Sequence, residues 1–237
     1  MGRYVSKSVN LFKSTAMKKT YFTIAFLFLL TVHRMSAQHV NFRALDNTKH
    51  LVSAHFGVDY GSYYGLSYGY VLKDKLVPLV IGTEFTVPFG DDVVDDWKWK
   101  TGVEAELWKS GPFSLTFKPS VVFRRYESTI ARMYSIGTDI SLGFGYVKSR
   151  WGAVAVASFD KAIVTHIKHG LLRDYYPEIG DGWYIPTGGN FKFGARLHYS
   201  VGSWNAFILA GKHFGQNFED NPTMPFFAEV SVQKRLK

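Results

Sequence analysis

Residues 134–146, YSIGTDISLGFGY, alternate between two kinds of side chain along their whole length. Tyr134 and every second residue after it are bulky, except Thr138, and the positions between them carry Ser, Gly or Asp. Because successive side chains of a strand point to opposite faces, the pattern predicts a strand with one apolar and one polar face. The apolar row begins and ends in tyrosine, as is typical of the aromatic girdles of a membrane-spanning barrel.

The same alternation recurs in residues 64–72, 113–123 and 191–201. Ten strands are predicted in all, at residues 49–60, 62–72, 76–87, 97–108, 113–124, 133–147, 151–164, 190–201, 204–214 and 225–236. Strands that cross a bilayer need about 9–11 residues, whereas strands of soluble proteins most often have about 5–6. The lengths therefore favour an all-β fold, a transmembrane up-and-down antiparallel barrel.

The connections between these strands alternate in length. Residues 73–75, 109–112, 148–150 and 202–203 form tight turns, and residues 89–96, 125–132, 165–189 and 215–223 form longer loops. Short periplasmic turns and longer outer loops are typical of outer-membrane barrels, and an even strand count leaves both termini in the periplasm. The first outer connection, near Gly61, is short. If the first two segments formed one bent strand, the count would change, and eight strands is the alternative.

The N-terminal region has the features of an export signal. Lys18 and Lys19 follow Met17, a candidate start, and precede an apolar stretch of about a dozen residues, too short to span a membrane as a helix. Small residues at Ser36 and Ala37 predict a mature chain that begins near Gln38. The predicted organisation is an upstream extension and signal peptide at 1–37, a periplasmic N-terminal segment at 38–48 and the barrel at 49–237.

The positive net charge of the chain arises largely from the predicted leader. The whole sequence has a net charge of +9, with 28 basic and 19 acidic residues. Residues 1–37 contain six of the basic residues and none of the acids, which leaves 22 basic and 19 acidic residues in the remainder. The remainder therefore gives no reason to expect a nucleic-acid partner. The absence of cysteine excludes disulfides, a catalytic thiol and a lipidated N-terminal cysteine.

Residues 38–237 as a whole resemble the small Gram-negative outer-membrane β-barrel (porin-like) family, through patterning alone. Residues 226–236 resemble the terminal strand that the barrel-assembly machinery reads, although the chain ends in Leu236-Lys237 instead of an aromatic residue. The resemblance implies an outer-membrane location, with outer-membrane lipid and lipopolysaccharide as surroundings. It implies little about activity.

Charged side chains of both signs occupy the inward positions of the predicted strands. This predicted lumen set comprises His55, Asp59, Glu84, Lys98, Lys100, Glu104, Glu106, Lys118, Arg124, Asp139, Lys192, Arg196, His198, Glu229 and Arg235. Buried charges are costly unless they are paired, so we expect a network that cross-links the wall. Ten strands enclose a small interior, and wide aqueous channels need about 16–18. A structural or interaction protein, or a narrow channel, is therefore the first interpretation.

The loop at residues 165–189 is the longest connection, and loops of that length are usually functional or disordered. Its aromatic residues Tyr175, Tyr176, Trp183 and Tyr184 predict a binding loop, because Tyr and Trp dominate binding hot spots. A protein partner is expected either there or on an apolar barrel face. Residues 153–157 and 206–209 are apolar at successive positions, which indicates either such a face or small apolar side chains that pack into the lumen. Lumen packing is the favoured interpretation, because a narrow barrel must fill its interior.

The alternative function is a hydrolase active at the outer rim. Omptin proteases are similar in having ten strands with acidic and His-containing pairs on the rim. The residues considered are Asp91, Asp92, Asp95, Asp96, His166, His169 and Asp174. The family's Asp-X-Asp and Asp-X-His spacings are absent, and so is the His-X-Ser-Asn signature of barrel lipid A hydrolases, which the segment around His213 matches only faintly. No catalytic residue and no cofactor are assigned, and His166 and His169 lack a third metal ligand nearby in sequence.

Overall fold

The computed structural model describes residues 39–72, 77–89, 95–219 and 224–237. Its long strands are β1 (His50–Val58), β2 (Ser62–Leu72), β3 (Leu79–Pro88), β4 (Trp97–Ser110), β5 (Phe113–Glu127), β6 (Ala131–Val147), β7 (Trp151–His169), β9 (Asn190–Val201), β10 (Trp204–Gly215) and β11 (Phe226–Leu236). A short helix, α1 (Leu172–Tyr175), and a short strand, β8 (Gly182–Tyr184), lie between β7 and β9. Among the described residues, no helix has the length and apolarity needed to cross a bilayer.

The long strands form one closed antiparallel sheet. Each pairs with the long strands before and after it in the chain, and β1 also pairs with β11 from His50↔Leu236 to Val58↔Ala228. The strands β1 and β2 are separate, joined by a tight connection in which the Asp59 N–H donates to the Gly61 carbonyl at 2.9 Å. The pairing confirms the predicted ten-stranded up-and-down antiparallel barrel and excludes the eight-stranded alternative.

The two ends of the barrel differ, and we call them the turn end and the loop end. The turn end carries both ends of the barrel wall, His50 and Leu236, together with the connections β4–β5, β6–β7 and β9–β10. Gly111 and Gly202 occupy two of these turns with φ of 53° and 54°, a backbone conformation that glycine adopts at little cost. The opposite, loop end carries the connections β1–β2, β5–β6 and β7–β9. The predicted leader, the turn at 73–75 and the loop residues Asp91 and Asp92 lie outside the described residues.

Two of the predicted loop boundaries are wrong. The strands β5 and β6 pair as far as Glu127↔Arg132, so the predicted loop at 125–132 shrinks to Ser128, Thr129 and Ile130. The strand β7 continues to His169, five residues into the predicted loop at 165–189, and pairs there with β6 and β8. A bulge hides this continuation from the sequence, because Ile163 is an extra residue that shifts the alternation of β7 by one position.

The outer face of the wall is apolar and ends in aromatic rings. Its mid-height side chains, including Leu66, Ile140, Leu142, Leu197 and Ile208, are exposed. At the turn end, the rings of Phe144, Phe113, Tyr146 and Trp151 contact one another in series. Toward the loop end, Trp99 stacks on Phe123 at a centroid distance of 5.4 Å, and Phe191 stacks on Phe193. Such a face suits the acyl chains of a bilayer between two interfaces.

Candidate functional site: the barrel lumen

The segment that precedes β1 lies inside the turn end of the barrel. Its centre is a 3-10 turn, Phe42–Ala44, which Asn41 caps by accepting the Arg43 N–H at 3.1 Å. The same Asn41 side chain is fully buried, and its amide nitrogen lies 3.2 Å from the Lys148 and Ser149 carbonyls and 3.2 Å from Ser200 Oγ. One side chain therefore joins this segment to the β6–β7 turn and to β9.

Further contacts hold the segment along its length. Arg43 donates to the carbonyls of Gly111 at 2.9 Å and Phe113 at 3.3 Å, and its Nε lies 3.8 Å from Glu106 Oε1. Deeper in the lumen, Gln233 Nε2 donates to the His39 carbonyl at 3.1 Å. Arg235, on β11, donates to the Ala44 carbonyl at the rim. We call residues 39–46 the N-terminal plug, since they occupy the lumen while belonging to no strand of the wall.

An apolar cluster anchors the plug to the inner surface of the wall. Val40 and Leu45 are buried against Leu51, Val71 and Val80, and Phe42 packs on the same cluster. The cluster joins three residues of the plug to side chains of β1, β2 and β3. Burial of such side chains contributes about 1.5–3 kcal/mol each, so the plug has an apolar anchor in addition to its hydrogen bonds.

Ion pairs cross the lumen above the plug. Asp59, at the end of β1, lies 3.2 Å from Lys98 Nζ and 2.8 Å from Lys192 Nζ, which joins three separate strands. Lys100 Nζ lies 2.8 Å from Asp139 Oδ2. Arg124 donates to Asp160 through a short ion pair. These pairs compensate charges that would be costly to bury alone.

The remaining predicted lumen residues also point inward, with different partners. Glu104 lies 3.8 Å from Arg196, Glu106 accepts from Ser114 at 2.7 Å, and Glu229 accepts from Tyr63 at 2.5 Å. His55 and His198 are buried, with rings against Tyr63 and Phe207 respectively. Glu84 and Lys118 line the same central space, and neither has an ion-pair partner within 4.0 Å among the described residues. Arg235 lies apart from the network, at the turn-end rim, where it also donates to the Gly202 carbonyl.

Sequence reasoning missed three residues that face this lumen. Asp160, the partner of Arg124, lies on β7, the strand that contains the apolar residues 153–157. It is two residues from Ser158, which lines the central cavity, so the two side chains point to the same face. His213, which is absent from the predicted lumen set, is fully buried, with Nε2 3.4 Å from Asp59 Oδ1. His39 accepts a 2.7 Å hydrogen bond from Arg196, and no periodicity marks it because it precedes the first strand.

Two neighbouring spaces in the described part of the lumen have room for more than one water. A central cavity of about 70 Å³, lined by His39, Asp59, Lys100, Lys118 and others, has room for about two waters. Above it, at the loop end, opens a space of about 280 Å³ that we call the vestibule. The linings of the two spaces share Asp59, Tyr63 and Lys98, so the spaces lie next to each other. His39, in the plug, is part of the lining of the central cavity.

The connection between β7 and β9 forms a small structured hairpin at the loop end. His166 pairs with Trp183 across β7 and β8, and their rings meet at 5.0 Å. Asp181 accepts the backbone N–H of His169 at 2.8 Å and lies 3.2 Å from that histidine's Nδ1. The backbone N–H of His169, its ring and the charge of Arg173 hold the pKa of Asp181 below its ordinary value. The predicted binding residues Tyr175, Tyr176, Trp183 and Tyr184 are all exposed on this hairpin.

The rim groups considered for a hydrolase are engaged elsewhere. Asp95 pairs with Arg125 at 3.2 Å, and Asp96 accepts the Glu127 N–H at 2.8 Å. His169 contacts Asp181 within its own hairpin. Among the described residues no group of three or more His, Cys, Asp or Glu side chains is placed to hold a metal ion. The geometry thus offers no support for the hydrolase alternative.

Comparison with known proteins gives similarity in structure only. No family model matches the chain, and no curated protein matches it. It is similar to the KdgM porin, with 8% identity and a TM-score of 0.42 over 79% of this chain and 99% of that one. A KdgM porin in complex with disordered oligogalacturonate gives 9% identity and a TM-score of 0.41, with the same shares covered. OccK1 (OpdK) of Pseudomonas aeruginosa gives 8% identity and a TM-score of 0.22, over 80% of this chain and 98% of that one. At such low similarity these matches assign no function.

Proposed function

We propose that this chain is an outer-membrane β-barrel whose lumen is a narrow, gated polar path, closed at its turn end by the N-terminal plug. The exposed apolar belt between two sets of aromatic rings supports a position in a bilayer. In that position, the short connections and both termini lie on the periplasmic side and the hairpin lies outside. The charge network in the lumen then holds the wall together around the path.

The plug is the observation that carries this proposal. It occupies the turn end of the lumen, yet it is attached to the wall only through the chain at β1 and through non-covalent contacts. Loss of those contacts would connect the vestibule and central cavity to the turn end. If the lumen served only to stabilise the barrel, the side chains of the wall would suffice, and no segment from outside the wall would be needed inside it.

Conductance across planar bilayers tests this function. We expect the barrel with the plug to conduct little, and deletion of residues 39–46 to raise its single-channel conductance severalfold. The conductance should stay far below that of barrels with about 16–18 strands, because ten strands enclose a narrow interior. Deletion of residues 175–182, an equal length of the outer hairpin, is the matched control and should change nothing. Equal conductance of the two deletions would refute the gate.

A second candidate function is binding of a protein partner through the outer hairpin. It is favoured by the exposure of Tyr175, Tyr176, Trp183 and Tyr184 on a hairpin that hydrogen bonds hold in shape. Co-purification from native membranes tests it: deletion of residues 174–183 should leave a folded barrel that has lost its partner. A partner retained in full by the deletion variant would exclude this hairpin as the binding surface.

A further inference from the structure

The vestibule has the size and form of a site for a small molecule. Its volume of about 280 Å³ lies at the lower end of the range for ligand pockets, which is about 300–1,000 Å³. Its floor is Asp59 with Lys98, and Tyr60, Tyr63 and Tyr126 form part of its wall. Aromatic side chains around a few polar groups are the usual composition of a small-molecule site. The volume fits one sugar-sized ring and not a chain of them.

The charges at the floor of the vestibule are already paired, and Asp96, at its rim, accepts the Glu127 N–H at 2.8 Å, so an ion gains little there. The Asp59 carboxylate accepts hydrogen bonds from Lys98 Nζ at 3.2 Å and from Lys192 Nζ at 2.8 and 2.9 Å. Little of the carboxylate is therefore left for a ligand cation. Arg124 donates to Asp160, whose side chain is only 4% exposed. A charged ligand would therefore have to separate an existing pair, and separation leaves a buried charge uncompensated. A neutral ligand leaves every pair intact.

Several hydrogen-bonding groups nevertheless remain for a ligand. The hydroxyls of Tyr60 and Tyr126 have no hydrogen-bond partner among the described residues, and each can both donate and accept. The Arg124 guanidinium has five N–H donors, more than its contact with Asp160 uses. The rings of Tyr60 and Tyr126 are 40% and 48% exposed, so they also offer apolar surface. A ligand that matches this set has many hydroxyls and an apolar C–H face.

We infer that the vestibule binds a small neutral polyhydroxylated molecule, of the size of one sugar ring, between Tyr60 and Tyr126. The hydroxyls of the ligand bond to the spare Arg124 N–H groups and the tyrosine hydroxyls, while its C–H face packs on the rings. The inference rests on the proposed lumen path, because the vestibule is the outer mouth of that path. It does not require the gate to open, since the vestibule lies above the plug.

Saturation-transfer NMR of the detergent-solubilised full barrel tests the inference, with glucose as the probe and with acetate and choline as charged probes. We expect saturation transfer to glucose, and about tenfold weaker glucose binding in Tyr126→Ala. Pro88→Trp, which enlarges a side chain of the vestibule lining opposite Tyr63 at the end of β3, should abolish binding. Tyr175→Ala, on the outer hairpin, is the matched control and should bind glucose as the parent does. Heat-modifiable gel migration verifies that each variant is folded.

Three outcomes would overturn the inference: no transfer to glucose, transfer to acetate or choline alone, or glucose binding unchanged by both Tyr126→Ala and Pro88→Trp. The barrel that lacks residues 39–46 separates this test from that of the gate. We expect it to bind glucose as the parent does. If its conductance were unchanged while glucose binding persisted, the gate would fail and the binding site would stand.

Discussion

Replacement of Asn41 by alanine should unseat the N-terminal plug. The Asn41 amide lies 3.2 Å from each of three acceptors, Lys148 O, Ser149 O and Ser200 Oγ, and its oxygen accepts the Arg43 N–H at 3.1 Å. An amide has only two N–H groups, so the three donor contacts count as two hydrogen bonds, with one more accepted. At about 1 kcal/mol each, the loss is about 3 kcal/mol, or roughly a hundredfold in the seated-to-unseated ratio.

Thiol labelling measures this ratio directly because the chain has no cysteine of its own. Ala44→Cys places a single thiol in the plug, at a position that is buried when the plug is seated. A maleimide should react with it only in the unseated state, so the labelling rate follows the unseated fraction. We expect the rate to rise roughly a hundredfold when Asn41→Ala is added to Ala44→Cys.

The matched control adds Asn217→Ala to Ala44→Cys instead. Asn217 lies near the loop end and donates to Glu219, without contact to the plug, so the labelling rate should not change. Equal labelling rates with and without Asn41→Ala would refute the reasoning. A similar rise in the Asn217→Ala background would also refute it, since it would assign the effect to general loosening of the barrel.

Three further predictions concern the wall and the outer hairpin. Arg124→Gln leaves the buried Asp160 carboxylate unpaired and should cost about 3–5 kcal/mol, seen as a lower temperature of the heat-modifiable gel shift; an unchanged temperature would contradict the pairing. Because the pKa of Asp181 is lowered, its contribution should persist at neutral and mildly acid pH and disappear only below the ordinary carboxyl pKa of about 3.9. Hydrogen exchange of the hairpin, corrected for its intrinsic pH dependence, should therefore accelerate only in strong acid, and Asp181→Asn should remove that step. Gly111→Ala should cost about 1–2 kcal/mol because φ is 53° there, whereas Gly61→Ala, with open space and no positive φ, should cost less.

Alternation along the sequence was sufficient to predict the strands of the wall, because each strand repeats the apolar–polar pattern several times. The bounds of β2 and β9 agree with the predicted 62–72 and 190–201. The prediction failed where one residue breaks the phase. The extra residue Ile163 shifts the alternation of β7, and the predicted loop therefore begins at residue 165, five residues before β7 ends at His169. A local repeat carries no information about where a bulge will fall.

The lumen could be predicted only in part, for a different physical reason. The inward phase identifies which charges face the centre, but it does not say which of them meet across the barrel. Asp59 and Lys192 are 133 residues apart in sequence, and Asn41 and Ser200 are 159 apart. The sequence of the plug has no alternating pattern. Its few residues form hydrogen bonds with residues that are far away in the sequence. Its place in the lumen follows from tertiary contacts that no short window of sequence contains.

The most direct test of the gate adds the plug back as a separate peptide. The barrel that lacks residues 39–46 is recorded in a planar bilayer, and a synthetic peptide of residues 39–46, HVNFRALD, is added to one side at a time. If the plug is the gate, the peptide should block the current from the turn-end side alone, and the same peptide with Asn41→Ala should need a roughly hundredfold higher concentration. No block from either side, or equal block by the two peptides, would contradict the claim that this segment closes the lumen.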